Sequence, residues 1–111
     1  MGDPAGISPE LAAKLIASDE FRAAARLVIF GDLRILEGGA RVAGVPVDVE
    51  VVPDEASIPE DAARPVFVDL ENLSPDQVVP ATATLEGGKF ATEDFRRALL
   101  LAKSGAADAV F

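Results

Sequence analysis

The first ten residues, Met1-Gly2-Asp3-Pro4-Ala5-Gly6-Ile7-Ser8-Pro9-Glu10, carry the densest chemistry in the chain. They read as a strand end, a tight glycine loop and a helix start within one turn. Gly2 and Gly6 permit positive φ, and Pro4 stiffens the segment between them. Ser8 suits an N-cap, Pro9 the first helical position and Glu10 the positive end of the helix dipole. A loop of this kind aims unpaired backbone N–H groups at one point, the arrangement that holds phosphates and carboxylates. The spacing is neither the G-x-G-x-x-G dinucleotide fingerprint nor the P-loop with its Lys-Ser/Thr. On residue types alone, an anion or cofactor cradle and a plain loop-to-helix connection both stand. Asp3 divides the same way, contacting a ligand or bracing the loop through its own backbone N–H groups.

Other candidate chemistry is thinner. The chain has no Cys, which excludes disulfides, thiolate nucleophiles and cysteine-ligated zinc. It has no His, the commonest metal ligand and general base. The pairs Asp54-Glu55, Glu60-Asp61 and Glu93-Asp94 lack the alternate-position ligands and central Gly of a calcium loop, and read as solvated charge. Arg96-Arg97 offers a phosphate clamp, but both are expected on an exposed helix face near Glu93. Asp69 ends a strand, as phospho-acceptors do in receiver domains. That reading needs an acidic pair after the first strand and a Lys after the fifth; Asp3 stands alone and Lys103 is late in a helix. No residue is assigned as catalytic or as a metal ligand.

Composition bounds the rest. The 111 residues suffice for one core, and half of them are apolar. All six aromatics are Phe, so Ala, Val, Leu and Ile must pack the interior, as they do where helices cover a sheet. A net charge of −9 disfavours nucleic acid and anionic membranes as partners. No apolar run reaches spanning length and no signal peptide opens the chain, so a cytoplasmic location is expected.

The elements that would position the loop follow in order. A helix from Ser8 carries Leu11, Ala12, Leu15 and Ile16 in one apolar stripe, with a favourably ordered Glu10–Lys14 pair. A break at Ser18-Asp19-Glu20 and an Ala-rich turn over Phe21–Ala25 lead to a buried parallel strand, Arg26–Phe30, ending at Gly31. Gly31-Asp32 caps a helix from Leu33 to about Ala43, with Leu33, Leu36, Ala40 and Ala43 on its inner face. Gly38-Gly39 either breaks it or admits a close neighbour. Gly44 and Pro46 stop it. Val47–Val52 alternates as a half-exposed strand near an edge. Pro53–Arg64 is an acidic loop, Val66–Leu70 a strand and Glu71–Pro80 a loop. The longest helix is expected over Phe90–Lys103, capped near Thr92, with Phe95, Leu99 and Ala102 inward and a Glu93–Arg97 pair. Gly105 closes it, and Ala107–Phe111 begins another buried strand. Both ends look cut through a sheet, so residues 1–111 are expected to be one partial α/β domain of a larger protein.

Met1–Glu10 closely resembles the N-terminal signature of the 4-hydroxythreonine-4-phosphate dehydrogenase family, which usually has Gly where Ser8 stands. Gly88-Lys89-Phe90-Ala91, the helix with Ala98 and Ala102, and Gly105–Phe111 resemble the segment leading to the family's Thr-x-Pro-x-Asn-Lys motif. A looser likeness links the opening loop to the Gly-Asp-Gly-Ile-Gly-Pro-Glu loop of isopropylmalate and isocitrate dehydrogenases, which share the fold class. The resemblance implies an α/β fold with a mostly parallel sheet flanked by helices. It implies a homodimeric parent enzyme that uses NAD or NADP to oxidise, with decarboxylation, a phosphorylated hydroxy acid such as 4-phosphohydroxy-L-threonine. Related members act on phosphorylated four-carbon sugar acids or aromatic cis-dihydrodiols. It implies a divalent metal whose histidine ligands lie beyond Phe111, so that this chain alone is inactive. Gly2, Asp3 and Gly6 are then the expected cofactor-side residues. A non-catalytic α/β binding module is the alternative from another class.

Overall fold

The sheet is built outward from one short strand. In the computed structural model, which describes residues 1–111, Pro65 hands the chain to Val66-Phe67-Val68, each fully buried. This strand, β3 (Val66–Asp69), lies between β1 (Val28–Gly31) and β2 (Glu50–Val52), and both pairings are parallel. Val28 aligns with Val66 and Gly31 with Asp69 on one side, while Glu50 aligns with Val66 on the other. Pro65 has no N–H, so on the β2 side the first rung is the one its carbonyl accepts from Glu50 N–H at 2.9 Å. β2 is therefore Glu50–Val52 rather than Val47–Val52, and on the other side of β3 the strand β1 is Val28–Gly31 rather than Arg26–Phe30. Val47 and Val49 still pack inward, against the core, without belonging to a ladder. The expected edge position of β2 is observed.

Alternation along β3 divides the core. Phe67 faces α1 (Ser8–Ala17) and α3 (Leu33–Ala43), where it meets Ala13, Ile16, Leu36 and Ala40. Val66 and Val68 face the other way, with Phe30, Val52, Ala98 and Leu101, under α4 (Leu85–Lys103). Ile35, Leu73 and Phe90 join α3 to α4 beyond the strand ends. The Ala-rich turn is the short helix α2 (Asp19–Ala24), which buries nothing.

α3 runs unbroken through Gly38-Gly39. A Cβ on Gly39 would lie 2.3 Å from the Pro9 carbonyl carbon, so this glycine is where the α1 backbone touches α3. Gly44 closes α3 with φ of 68°, and Gly105 follows α4 with φ of 84°.

Several expectations are corrected. α4 begins at Leu85, not Phe90, because Thr84 rather than Thr92 caps it, its side chain accepting from the Gly87 N–H at 3.1 Å. Phe95 and Leu99, expected inward, are 53% and 46% exposed. The covered face carries Phe90, Asp94, Ala98 and Leu101 instead. Ala107–Phe111 has no ladder partner and is not a strand. Glu10 and Lys14 form no ion pair, whereas Glu93 and Arg97 meet at 3.1 Å.

Candidate functional site

The opening loop sits where the parallel strands end. The Met1 amine donates to the Phe30 carbonyl and, at 3.0 Å, to the Asp94 carboxylate. A Cβ on Gly31 would meet the Met1 side chain at 2.6 Å, so β1 ends on a glycine to admit it. Pro4 is buried against Gly87 of α4, and the Ala5 carbonyl accepts from Ala81 N–H at 2.9 Å. Gly2, Asp3 and Gly6 remain exposed to solvent. Open parallel sheets take their ligands at this carboxyl end.

The loop differs in detail from its sequence reading. Neither Gly2 nor Gly6 has positive φ. Gly2 is required because a Cβ there would come within 2.7 Å of Ser8 Oγ. At Gly6 the corresponding approach is 3.3 Å, to Asp3 Oδ2. Asp3 Oδ1 accepts from Ala5 N–H at 3.0 Å, and Asp3 O accepts from Gly6 N–H at 3.3 Å. Asp3 therefore braces the loop, while Oδ2 makes no hydrogen bond. Ser8 is not the N-cap. Ile7 is, so α1 starts one residue early, at Ser8, with Pro9 second and no side chain capping it. The first turn of a helix has no internal partner for its N–H groups, so α1 presents an uncapped positive end beside Gly2, Asp3 and Gly6.

The neighbouring helix start is closed. Asp32, fully buried, accepts from Arg34 N–H at 3.1 Å, from the Arg34 guanidinium at 2.9 and 2.7 Å, and from Leu73 N–H at 3.2 Å. Burial alone would raise its pKa, but the Arg34 side chain and the two backbone donors outweigh it and hold the carboxyl below its ordinary value. Asp69 accepts from Leu33 N–H at 3.1 Å and Glu71 N–H at 3.3 Å. It is thus engaged in closing α3, and the isolated phospho-acceptor geometry is absent.

Asp94 is the residue that sequence reasoning missed. Expected as solvated charge, it is 1% exposed and accepts from the Met1 amine and from Asn72 Nδ2 at 3.1 Å. Burial pushes its pKa up, against the pull of the ammonium and of Asn72. Its i+4 spacing from Phe90 and i−4 spacing from Ala98 place it on the covered face, the one available signal. Arg96 and Arg97 spend their charge on Glu93, and Arg97 also on Glu55 at 2.9 Å, which leaves no open phosphate clamp. Glu93 is held at about 2, chiefly by the Arg96 hydrogen bond.

Against known proteins the similarity runs through all of these elements. The chain is 56% identical over 110 residues to "Putative 4-hydroxythreonine-4-phosphate dehydrogenase 2" of Rhizobium meliloti, covering 99% of this chain and 32% of that protein. Along its whole length the chain is homologous to the 4-hydroxythreonine-4-phosphate dehydrogenases. It is 32% identical over 114 residues to the D-threonate 4-phosphate dehydrogenase of Bordetella bronchiseptica, with 99% of this chain and 32% of that one covered. The crystal structure of a 4-hydroxythreonine-4-phosphate dehydrogenase from Burkholderia phymatum superposes with a TM-score of 0.80 at 27% identity, over 95% of this chain and 32% of that one. The chain thus spans about a third of the length of the curated relatives it matches. No protein-family model matches it.

Two groups implied by these relatives can be tested against the residues present. A divalent metal does not fit: there is no His or Cys, and no cluster of three Asp or Glu could hold one. An oxyanion fits the opening loop, where the uncapped start of α1 and the exposed backbone at Gly2 and Gly6 converge.

Proposed function

We infer that residues 1–111 form part of an α/β domain of a nicotinamide-dependent dehydrogenase that oxidises a phosphorylated hydroxy acid. The observation that carries this is the 56% identity sustained over 110 residues with a 4-hydroxythreonine-4-phosphate dehydrogenase homologue, on a matching fold. The substrate is 4-phosphohydroxy-L-threonine, or D-threonate 4-phosphate on the second reading, which the Bordetella relative's name favours. The remaining two-thirds of such an enzyme supplies the metal ligands, a homodimer interface and a fold of the isopropylmalate dehydrogenase kind, in a cytoplasmic protein. On this reading the 111-residue chain does not turn over by itself. NAD or NADP supplies the hydride acceptor when bound. Gly2, Asp3 and Gly6 line its side of the cleft: the glycines let backbone approach an oxyanion, and α1 directs its positive end there. Asp3 holds the loop's shape and offers the free Oδ2 to a hydroxyl donor.

Asp3 separates bracing from contact. In the full-length enzyme, Asp3→Asn retains an acceptor for Ala5 N–H but loses the charge, whereas Asp3→Ala loses both. Titration of NAD, NADP and substrate is expected to show weakened binding in both variants. Wild-type affinities in Asp3→Asn with loss only in Asp3→Ala would reduce Asp3 to a brace.

A further inference from the structure

The amino end of the sheet holds a pocket of its own, away from the opening loop. The end of α2 and the residues entering β1 form one side of it, and the residues entering β3 form the other. β1, four residues and about 13 Å long, separates it from the loop at the carboxyl end. Its volume of about 290 Å³ is at the lower limit for ligand cavities, so it suits a small ion better than a nucleotide. Arg22, Arg26 and Arg64 all line it, in a chain whose net charge is −9.

These arginines are spent differently from the others. Each guanidinium carries five N–H donors. Arg34, Arg96 and Arg97 each place at least two of theirs on carboxylates. Arg22 and Arg64 each give a single bond to Asp48, one to each oxygen, at 3.3 and 3.2 Å. Arg26 gives its one bond to the Glu60 backbone carbonyl, a neutral partner. Both Asp48 pairs are open to water, and exposed pairs of this kind add little to stability. Tethering α2 and the loop before Pro65 therefore leaves the cluster unexplained. The N–H groups of Ala62, Ala63 and Arg64, on the pocket's other side, bond to no protein acceptor.

We propose that this pocket binds a phosphate group, free or carried on a small ester. Three guanidiniums less the Asp48 carboxylate leave two positive charges, which match a dianion. Glu60 and Asp61 are close in sequence but do not line the pocket. The carboxyl end of α2 opposes an anion with at most about half a charge, and Arg22 in its last turn offsets that. Guanidinium forks match phosphate oxygens two at a time, and a tetrahedral ion offers acceptors to arginines on more than one side. Asp48 competes with the ion for Arg22 and Arg64 and so sets the affinity. α2 buries nothing of its own, so a bound phosphate would fasten it to the sheet. The proposal does not rest on the dehydrogenase reading.

Residue-resolved NMR of the 111-residue chain, titrated with inorganic phosphate at constant ionic strength, tests it. Saturable shifts are expected at the amides of Arg26, Leu27, Ala62, Ala63 and Arg64. Arg26→Gln should weaken the affinity by at least about tenfold, the loss expected for one charge-assisted donor group. Arg64→Gln, which frees no backbone carbonyl, repeats the measurement on a second guanidinium. Asp48→Asn should tighten binding several-fold, because a charge that repels the dianion is gone. Weaker binding in Asp48→Asn overturns the charge argument. A parallel titration with glycerol 3-phosphate separates the two sources. Tighter binding than inorganic phosphate assigns the site to an ester, and equal or weaker binding assigns it to the free ion. Shifts confined to the opening loop overturn the proposal, as do wild-type affinities in both arginine variants. A response that never saturates is general screening and overturns it as well.

Discussion

Asp32 and Asp94 are both buried carboxylates at the end of β1, yet their environments drive them in opposite directions. Asp32 has a guanidinium and two backbone donors, and its pKa lies below the ordinary 3.8. Asp94 has one ammonium and one amide, and burial keeps its pKa above 3.8. The linkage follows from those signs. Asp32 contributes stability above its unfolded pKa and loses it as pH falls through the lower folded value. Asp94 subtracts stability while ionised, and the subtraction is relieved as pH falls through its raised folded pKa. Asp32→Asn is expected to destabilise by about 1–3 kcal/mol at pH 7, with the difference from wild type shrinking below about pH 4. For Asp94→Asn, lowering the pH from 7 should instead shift the comparison in favour of wild type. Urea midpoints from pH 7 to 3 for the three proteins check both slopes. The Asp32 cap was legible because Gly-Asp before an apolar helix is a cap signature. Asp94 was not, since the pair Glu93-Asp94 looks alike in sequence while one quarter-turn of α4 separates a solvent-facing carboxylate from a buried one.

At the scale of elements, adjacent glycines in α3 have opposite roles. Gly38 faces open space, with nothing nearer than Arg41 at 3.8 Å from a built Cβ. Gly39 lies against the Pro9 backbone, which cannot rotate away as a side chain would. Gly38→Ala should therefore stabilise by up to about 1 kcal/mol through helix propensity. Gly39→Ala should destabilise by about 1–3 kcal/mol, because α1 must shift to accept the methyl. Thermal melts of the two variants decide the matter, and equal shifts would contradict the contact. α3 itself was readable from its cap, its periodicity and Gly44. Its bounds match because every signal is local. α1 was displaced at its start because Pro9 is allowed at either of the first two helical positions, and only the approach of Ser8 to Gly2 selects between them. The strands were over-read for a different reason. Apolar patterning extends to Arg26 and Val47, but a ladder exists only where β3 runs alongside, and on the β2 side Pro65, which offers no N–H, ends it.

The whole molecule is held through β3, since each of its first three residues is fully buried and they alternate between the two helical layers. The parallel α/β class was visible in apolar runs separated by helical stretches, and the homologous structures share it. Which face of α4 is covered was not visible, because α4 is apolar on two sides. Phe90, Ala98 and Leu101 meet the core, whereas Phe95, Leu99 and Leu100 do not. Periodicity detects an apolar stripe without saying whether this chain covers it. Truncating one Phe from each side measures that difference. Phe67→Ala removes a ring that Ala13, Ile16, Leu36 and Ala40 surround, and should cost about 3–5 kcal/mol. A domain of this size has only about 5–15 kcal/mol in total, so that loss brings the chain close to unfolding at room temperature. Phe95→Ala removes a ring already half in water, and its cost should stay below about 1 kcal/mol in the 111-residue chain. Urea unfolding of both variants reads the contrast directly.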